Sequence, residues 1–508
     1  MTTVDPVETP VVSLSSIAVA RPQRRWLSKS FRFRVRSFLP GSGALALRRF
    51  SITEAALLLV LAFITSRALG VVRQVLFNML FGTGPAANAY YAAAYLPETL
   101  FDLVAGGALI HAFIPVFLSH EKSYGSREVW RLTSLVFNLL LVALTFLVLI
   151  GELFAPAFVS NWLIPGYTPD VQALTTNLTR IMLLQPLLLG LGTVITAALN
   201  SKRQFLLPAL SVAVYNLGLI GGLSVSFLVR GTGIYGPTAG VLMAAALQVL
   251  VMVPALVKQG ARYSFIWQLN HPGLREVLRL LIPNVMAVAI FSVTPIIDTA
   301  FLSLMPDSAS LAATRNANML FGLPLALVAQ AAGQASMPQL TSLATAQKYV
   351  RLRQTFTRVL LTSLAFSALA ALLLALLGRP AIRLLFQHGA FDAHSSSVTY
   401  LALLGYAIAL PGQALASLLS LTFYAMKNAL LPLLTCAVSL LAHIGGILLF
   451  FQLFSGSRQI LAIPLGLAVD GCASTLLLGL LLFLALRSKV LKDQGMQRLL
   501  RLRASRKA

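Results

Sequence analysis

TSRALGVVRQVLFNMLFGTGPAANAYYAAAYLPETLFDLVAGGALIHAFIPVFLS, residues Thr65 to Ser119, is the stretch whose reading decides the fold. It sets Arg67, Arg73, Glu98, Asp102 and His111 inside two long apolar segments joined by a short Gly/Pro turn. At the centre of a bilayer each ionised side chain would cost about 2.5–3.5 kcal/mol. Such charges must face protein or water, so this hairpin reads as half the lining of a polar cavity between membrane helices.

The composition agrees. The 508 residues are 57% hydrophobic and 11% charged, with a mean hydropathy of +0.82, whereas a soluble domain carries about 25% charged residues. This is a polytopic membrane protein. Its net charge of +24 raises nucleic acid as a partner, but the cations gather in the two tails and in alternate loops. Topology and attraction to anionic lipid account for that distribution better, and no nucleic acid is expected. Cys436 and Cys472 lie in separate apolar segments and read as packing residues. Residues 1–50 carry Arg21, Arg24, Arg25, Lys29, Arg32, Arg34, Arg36, Arg48 and Arg49 and read as a retained, disordered cytoplasmic tail. From Arg21 to Phe38 aromatics interleave with cations, a pattern that fits either lying on anionic lipid or a plain positive-inside signal.

A spanning helix needs about 20 apolar residues. That rule predicts twelve segments, near 53–80, 88–119, 130–157, 171–199, 206–229, 236–257, 276–304, 312–344, 355–377, 395–424, 430–453 and 461–486. With the N-terminus inside, eleven cations fall in inner loops and four in outer loops (Arg230, Arg379, Arg383 and Arg458). Both termini are thus expected in the cytoplasm, the C-terminal one as a basic tail at 488–508.

An internal repeat organises these segments. KRQFLLPAL after the fourth recurs as MKNALLPLL after the tenth, so Arg203 and Pro208 correspond to Lys427 and Pro432 at an offset of 224. Gly166 in IPGY corresponds to Gly389 in QHGAF at 223, and Ala112–Pro115 corresponds to Ala335–Pro338. The expected fold is all-α: two parallel six-helix lobes, 51–258 and 276–487, joined by a cytoplasmic linker at 259–275 and enclosing a central cavity.

No catalytic set is read: no metal-ligand pair at helical spacing, no nucleophile elbow and no phosphate-cradling loop. The cavity charges are the informative set. Ser66, Gly70 and Arg73 share one helix face, as do Glu98 and Asp102 after Pro97. Two cations facing two carboxylates fit a structural ion pair. They also fit guanidinium forks gripping an anionic head group while a carboxylate takes a coupling cation or proton. In the second half, Asp298 and Arg315 fit a hairpin-stabilising pair or a substrate role, with Asn316 and Asn318 close by.

At these residues the chain resembles the MurJ (MviN) lipid II flippases of the multidrug/oligosaccharidyl-lipid/polysaccharide exporter superfamily. The resemblance runs from Ser51 to Arg487 and is carried by Ser66-Arg67-Ala68-Leu69-Gly70 with Arg73, Phe81-Gly82-x-Gly84, Pro97, Ala112-Phe113-Ile114-Pro115, Asn216, Asp298, Ala317-Asn318 and Pro432 in order. It implies a non-enzymatic transporter that moves the undecaprenyl-diphosphate-linked peptidoglycan precursor to the outer leaflet of the bacterial cytoplasmic membrane by alternating access. No cofactor is implied beyond coupling to membrane potential, H+ or Na+, and cell-wall synthesis proteins are the partners it suggests. The chain departs from the family pattern at Asn88, Glu98, Phe101, Asp102 and Met319, with Arg315 one turn before Met319 able to compensate. The family's two further C-terminal helices are also missing after the twelfth, so the lipid tail is expected to be held elsewhere or the substrate to differ. The candidate substrate-binding residues are Ser66, Arg67, Arg73, Asn88, Glu98, Arg315 and Asn318. The candidate coupling acids are Glu98, Asp102 and Asp298. Another transporter of the same superfamily is the alternative.

Overall fold

A computed structural model describes residues 52–104, 107–229, 231–428 and 430–505; the expectations for the tail at 1–50 and for the side chains of the C-terminal cations lie outside what is described. The described residues form α1 (Ile52–Phe81), α2 (Pro85–Val104), α3 (Gly107–Tyr124), α4 (Ser126–Phe158), α5 (Pro169–Met182), α6 (Gln185–Ser201), α7 (Leu206–Leu228) and α8 (Tyr235–Lys258). After the linker come α9 (Pro272–Phe291), α10 (Thr294–Ser303), α11 (Ser310–Leu325), α12 (Ala332–Thr345), α13 (Tyr349–Phe386), α14 (Ala393–Ala425), α15 (Leu430–Leu453) and α16 (Ala462–Ser505). Among the described residues nine helices are long and apolar enough to cross a membrane, α5 and α6 together making one of them. The expected segments at 88–119, 276–304 and 312–344 are instead each built from two shorter helices, which is consistent with twelve crossings. One break lies at Ser292–Val293, just before Pro295; another is a π-helical turn at Ala326–Ala331. Pro97 sits inside the continuous α2.

Small residues let helices meet closely, as membrane packing favours. Gly218 and Gly222 of α7 face Ala244 and Gly240 of α8, and a Cβ on Gly222 would lie 2.4 Å from the Gly240 Cα. Between α14 and α16, a Cβ on Gly471 would lie 2.9 Å from Gln413 N. The repeat holds down to the backbone. Arg203 and Lys427 both take the left-handed conformation, at φ 59° and 60°, and the next residue closes the same turn in each lobe, Gln204 N to Leu199 O and Asn428 N to Phe423 O, both 2.9 Å.

The lobes are fastened at the end that carries few cations. A single buried cluster there draws Ala92 and Tyr95 of α2 together with Leu311, Phe321, Ile382, Phe386 and Tyr406. The turns interlock as well: Ala390 N donates to Met79 O at 2.9 Å, and Thr83 Oγ1 lies 2.7 Å from Ser395 Oγ. Gly82 and Gly389, both at positive φ, fit this joint because they lack Cβ; one added at either would lie 2.3 Å from a carbonyl oxygen, of Ala390 and Met79 respectively. At the cation-rich end the buried residues fall into separate clusters, among them one around Phe113, Phe117 and Leu132 and another around Leu352, Phe356 and Phe423.

One element departs from the symmetric plan. The expected lobe boundary assigns α9 to the second lobe, yet Leu274, Val277 and Leu281 pack into the first-lobe cluster with Phe113 and Leu132. The linker explains this. Ser264 N donates to Ser134 Oγ at 3.2 Å and Asn138 Nδ2 donates to Ile266 O at 3.1 Å, which straps the chain along α4 before α9 begins. The break at Ser292–Val293 then lets α10 turn back to the second lobe.

At the cation-poor end Asp392 caps α14, its Oδ1 accepting from Ser395 N at 2.7 Å. Hydrogen bonds from the Ser395 backbone and side chain hold this carboxyl below the usual carboxylate range. A folded-state value below the unfolded one stabilises above the unfolded pKa, and the stabilisation is lost as pH falls through the folded value. Thermal unfolding of Asp392→Asn, which retains an uncharged cap, is therefore expected to lose less stability than wild type on going from neutral pH to below about pH 4.

Candidate functional site between the lobes

The open space between the lobes is a cavity of about 410 Å³ walled by α1, α2, α6, α7, α8 and α11. Three guanidinium groups, Arg67, Arg73 and Arg315, and one carboxylate, Glu98, line it. Arg73 has no carboxylate partner within 4.0 Å among the described residues, and Glu98 turns away from it to Arg315 Nη2 at 3.5 Å. That contact is long, and both side chains are more than a third exposed, so solvent leaves it little worth and Arg315 stays available. Of the two acids expected to face Arg67 and Arg73, Glu98 lines the same cavity, whereas Asp102 is exposed on α2 and is not among the lining residues. The lining thus carries a net excess of positive charge, and on its apolar side Phe77, Leu219 and Leu223 form the wall, where the dielectric is low.

The remaining candidates divide. Asn318 lines the cavity beside Met319. Ser66 accepts from Asn216 Nδ2 at 3.1 Å, which pins α1 to α7 next to the cavity instead of in it. Asn88 is 1% exposed and serves the joint between lobes: its Nδ2 donates to Ser308 O and its Oδ1 accepts from Ala312 N at 3.0 Å. Asp298 pairs with His443 of α15, 2.7 Å away, and not with Arg315, so the hairpin pair expected between them is replaced by two others. Leaving a buried amide partner unsatisfied costs about 1–3 kcal/mol; Asn88→Leu should therefore lower thermal stability while leaving cargo affinity within about twofold of wild type, whereas a ligand role would move affinity instead.

Sequence reasoning missed half the polar lining. Tyr90, Tyr91 and Tyr215 line the cavity, as do Gln74 and Gln185. Gln185 Nε2 donates to Tyr215 OH at 2.9 Å, and Gln74 Nε2 donates to Asn316 Oδ1 across the lobes at 2.8 Å. The signal available was a glutamine within each of two apolar helices. Outside the cavity, Arg180 of α5 and Glu152 of α4 form an ion pair at 3.6 Å. Among the described residues no group of three or more His, Cys, Asp or Glu is placed to hold a metal ion.

With that geometry in view, comparison with known proteins is decisive. The sequence profile of the lipid II flippase MurJ family matches residues 77–504. The chain belongs to that family. A MurJ relative, the lipid II flippase of Burkholderia cenocepacia, is 29% identical over 445 residues, covering 85% of this chain and 84% of its own. In fold the chain resembles a solved lipid II flippase MurJ in an inward closed conformation, with a TM-score of 0.72 and 23% identity over 88% of this chain and 92% of that one. It also resembles an inward-facing multidrug resistance MATE transporter of the MOP superfamily, with a TM-score of 0.69 and 15% identity over 85% and 99%. This multi-pass membrane protein thus shares the two-lobed architecture of both groups, and MurJ membership extends through the cavity helices from Phe77 onward.

Proposed function

We propose that the chain carries lipid II from the cytoplasmic to the outer leaflet of the bacterial cytoplasmic membrane by alternating access, with both termini in the cytoplasm. The observation that carries this reading is the cavity's three arginines against one carboxylate, in a chain of the MurJ family. Arg67 and Arg73 grip the diphosphate, since guanidinium forks match phosphate oxygens in pairs. Arg315 releases its loose contact with Glu98 to join them, and Asn318, Tyr90 and Tyr215 meet the sugar through hydrogen bonds and ring faces. Ser66 orients α1 from behind. The closed joint at the cation-poor end and the separate clusters at the cation-rich end support loading from the cytoplasm in this state. The lobes at 51–258 and 276–487 then rock about the linker, with α9 moving with the first. Glu98 is the one candidate acid left facing the cargo; Asp102 lies away from it. Transport draws on the membrane potential or an ion gradient, not on a resident cofactor. The basic tails hold anionic lipid, and cell-wall synthesis proteins take the product.

Native mass spectrometry of the purified protein with lipid II tests this, with undecaprenyl phosphate and plain anionic lipid as competitors. Selective lipid II retention is expected. Binding no better than anionic lipid would point to another cargo of the superfamily.

A further inference from the structure

The second lobe holds polar side chains that the cargo site leaves unused. His443 Nε2 of α15 donates to Asp298 Oδ1 of α10 at 2.7 Å, with the imidazole 2% and the carboxylate 23% exposed. Its Nδ1 makes no well-formed hydrogen bond among the described residues, although the Gly466 carbonyl faces the ring. One turn earlier on α15, Ser439 Oγ donates to Asp470 of α16; Asp470 also accepts from Ser474 Oγ at 3.1 Å and Gln413 Nε2 at 2.9 Å. The charges acting on the His443 ring are Asp298 and Asp470. The other elements against α15 bring Arg275, Glu276 and Arg279 on α9, His394 on α14 and Arg458 in the turn Gly456–Leu461. Tyr95 and Tyr406 lie within the field of Asp298 on the other side of the pair.

α10 ties this pair to the joint between lobes. It is cut from α9 by the break at Ser292–Val293, where Tyr95 OH donates to Ser292 O at 2.8 Å. At its far end Ser303 Oγ accepts from Gly166 N at 3.1 Å, an approach so close that a Cβ on Gly166 would lie 2.3 Å from Ser303 O. Asp298–His443 is the polar bond from this short helix to α15, beside the Phe301–Phe451 ring contact, and Ser303–Gly166 is where the same helix holds the first lobe.

We infer that the Asp298–His443 pair is a proton-binding site that keeps the joint at the cation-poor end closed when protonated and loosens it when deprotonated. One proton adds to the imidazole nitrogen; the carboxylate stays an acceptor and no other bond changes. The protonated pair is neutral overall, and its charge-assisted hydrogen bond is about twice as strong as a neutral one. Loss of the proton leaves a net negative charge beside Asp470 in a low-dielectric interior, which loosens α10 and with it the Ser303–Gly166 contact. Histidine suits the task because its ordinary titration range spans neutral pH, and an imidazole nitrogen is a poor ligand for a hard cation such as Na+. The inference rests on the transport reading above and names the proton as its coupling ion.

The test uses the full chain without cargo, so its outcome is separate from that of lipid II binding. Spin labels at Thr168→Cys and Ser455→Cys, both exposed at the cation-poor end, report the distance across the joint once Cys436 and Cys472 are changed to serine. Between about pH 5.5 and pH 8.5 the open fraction is expected to rise about threefold in wild type. His443→Gln and, as a second variant should the first not fold, Asp298→Asn are expected to show no such rise. A wild-type distribution that ignores pH, or a folded His443→Gln that keeps the full response, would overturn the inference. So would an equal shift on replacing K+ by Na+ at fixed pH, which would assign the site to a metal cation.

Discussion

Alanine at both Arg67 and Arg73 is expected to weaken lipid II binding at least about a hundredfold, because each charge-assisted hydrogen bond to a phosphate is worth about 1.5–3 kcal/mol. The loss should be specific. Affinity for a neutral lipid should not change. Arg73→Lys separates charge from geometry: it keeps the cation and loses the planar fork, so an intermediate affinity is expected. Titration of labelled lipid II into the purified variants measures all three. A double variant that binds as wild type does would remove the arginines from the cargo site.

The second large effect is expected from the joint at the cation-poor end. Gly389→Ala puts a Cβ 2.3 Å from the Met79 carbonyl oxygen, a backbone atom that cannot swing aside. Closure there should fail, and transport should fall at least about tenfold, the equivalent of about 1.4 kcal/mol, while cargo still binds the cavity. Backbone strain alone is controlled by Gly260→Ala: Gly260 also has a positive φ, of 81°, but has nothing within 4 Å of an added Cβ. That variant should transport normally. Equal loss in both would mean that the effect comes from misfolding and not from the joint.

Much of this architecture is legible in the chain because membrane helices announce themselves by length and apolarity, and because duplication repeats its punctuation. KRQFLLP and MKNALLP fold into the same left-handed turn at Arg203 and Lys427. Arg67 and Arg73 could be placed at a cavity from sequence alone, since intramembrane cations have few other places to go. Partners were harder. Asp298 finds His443 145 residues away, and Asn88 finds Ser308 220 residues away; no local periodicity encodes such pairs. Leu274, Val277 and Leu281 make an apolar face that would fit either lobe, and only the strapping of the linker to Ser134 and Asn138 commits α9 to the first. The tyrosines of the cavity look in sequence like ordinary aromatic packing.

The most direct measurement is lipid II translocation in proteoliposomes. Fluorescent lipid II is placed in both leaflets, and an impermeant quencher reports the fraction reaching the outer face after outer-leaflet probe has been destroyed. The account predicts renewed accessibility with wild-type protein and none above protein-free vesicles with Arg67→Ala/Arg73→Ala. Wild-type vesicles indistinguishable from protein-free ones, with protein that is folded and binds lipid II, would contradict it.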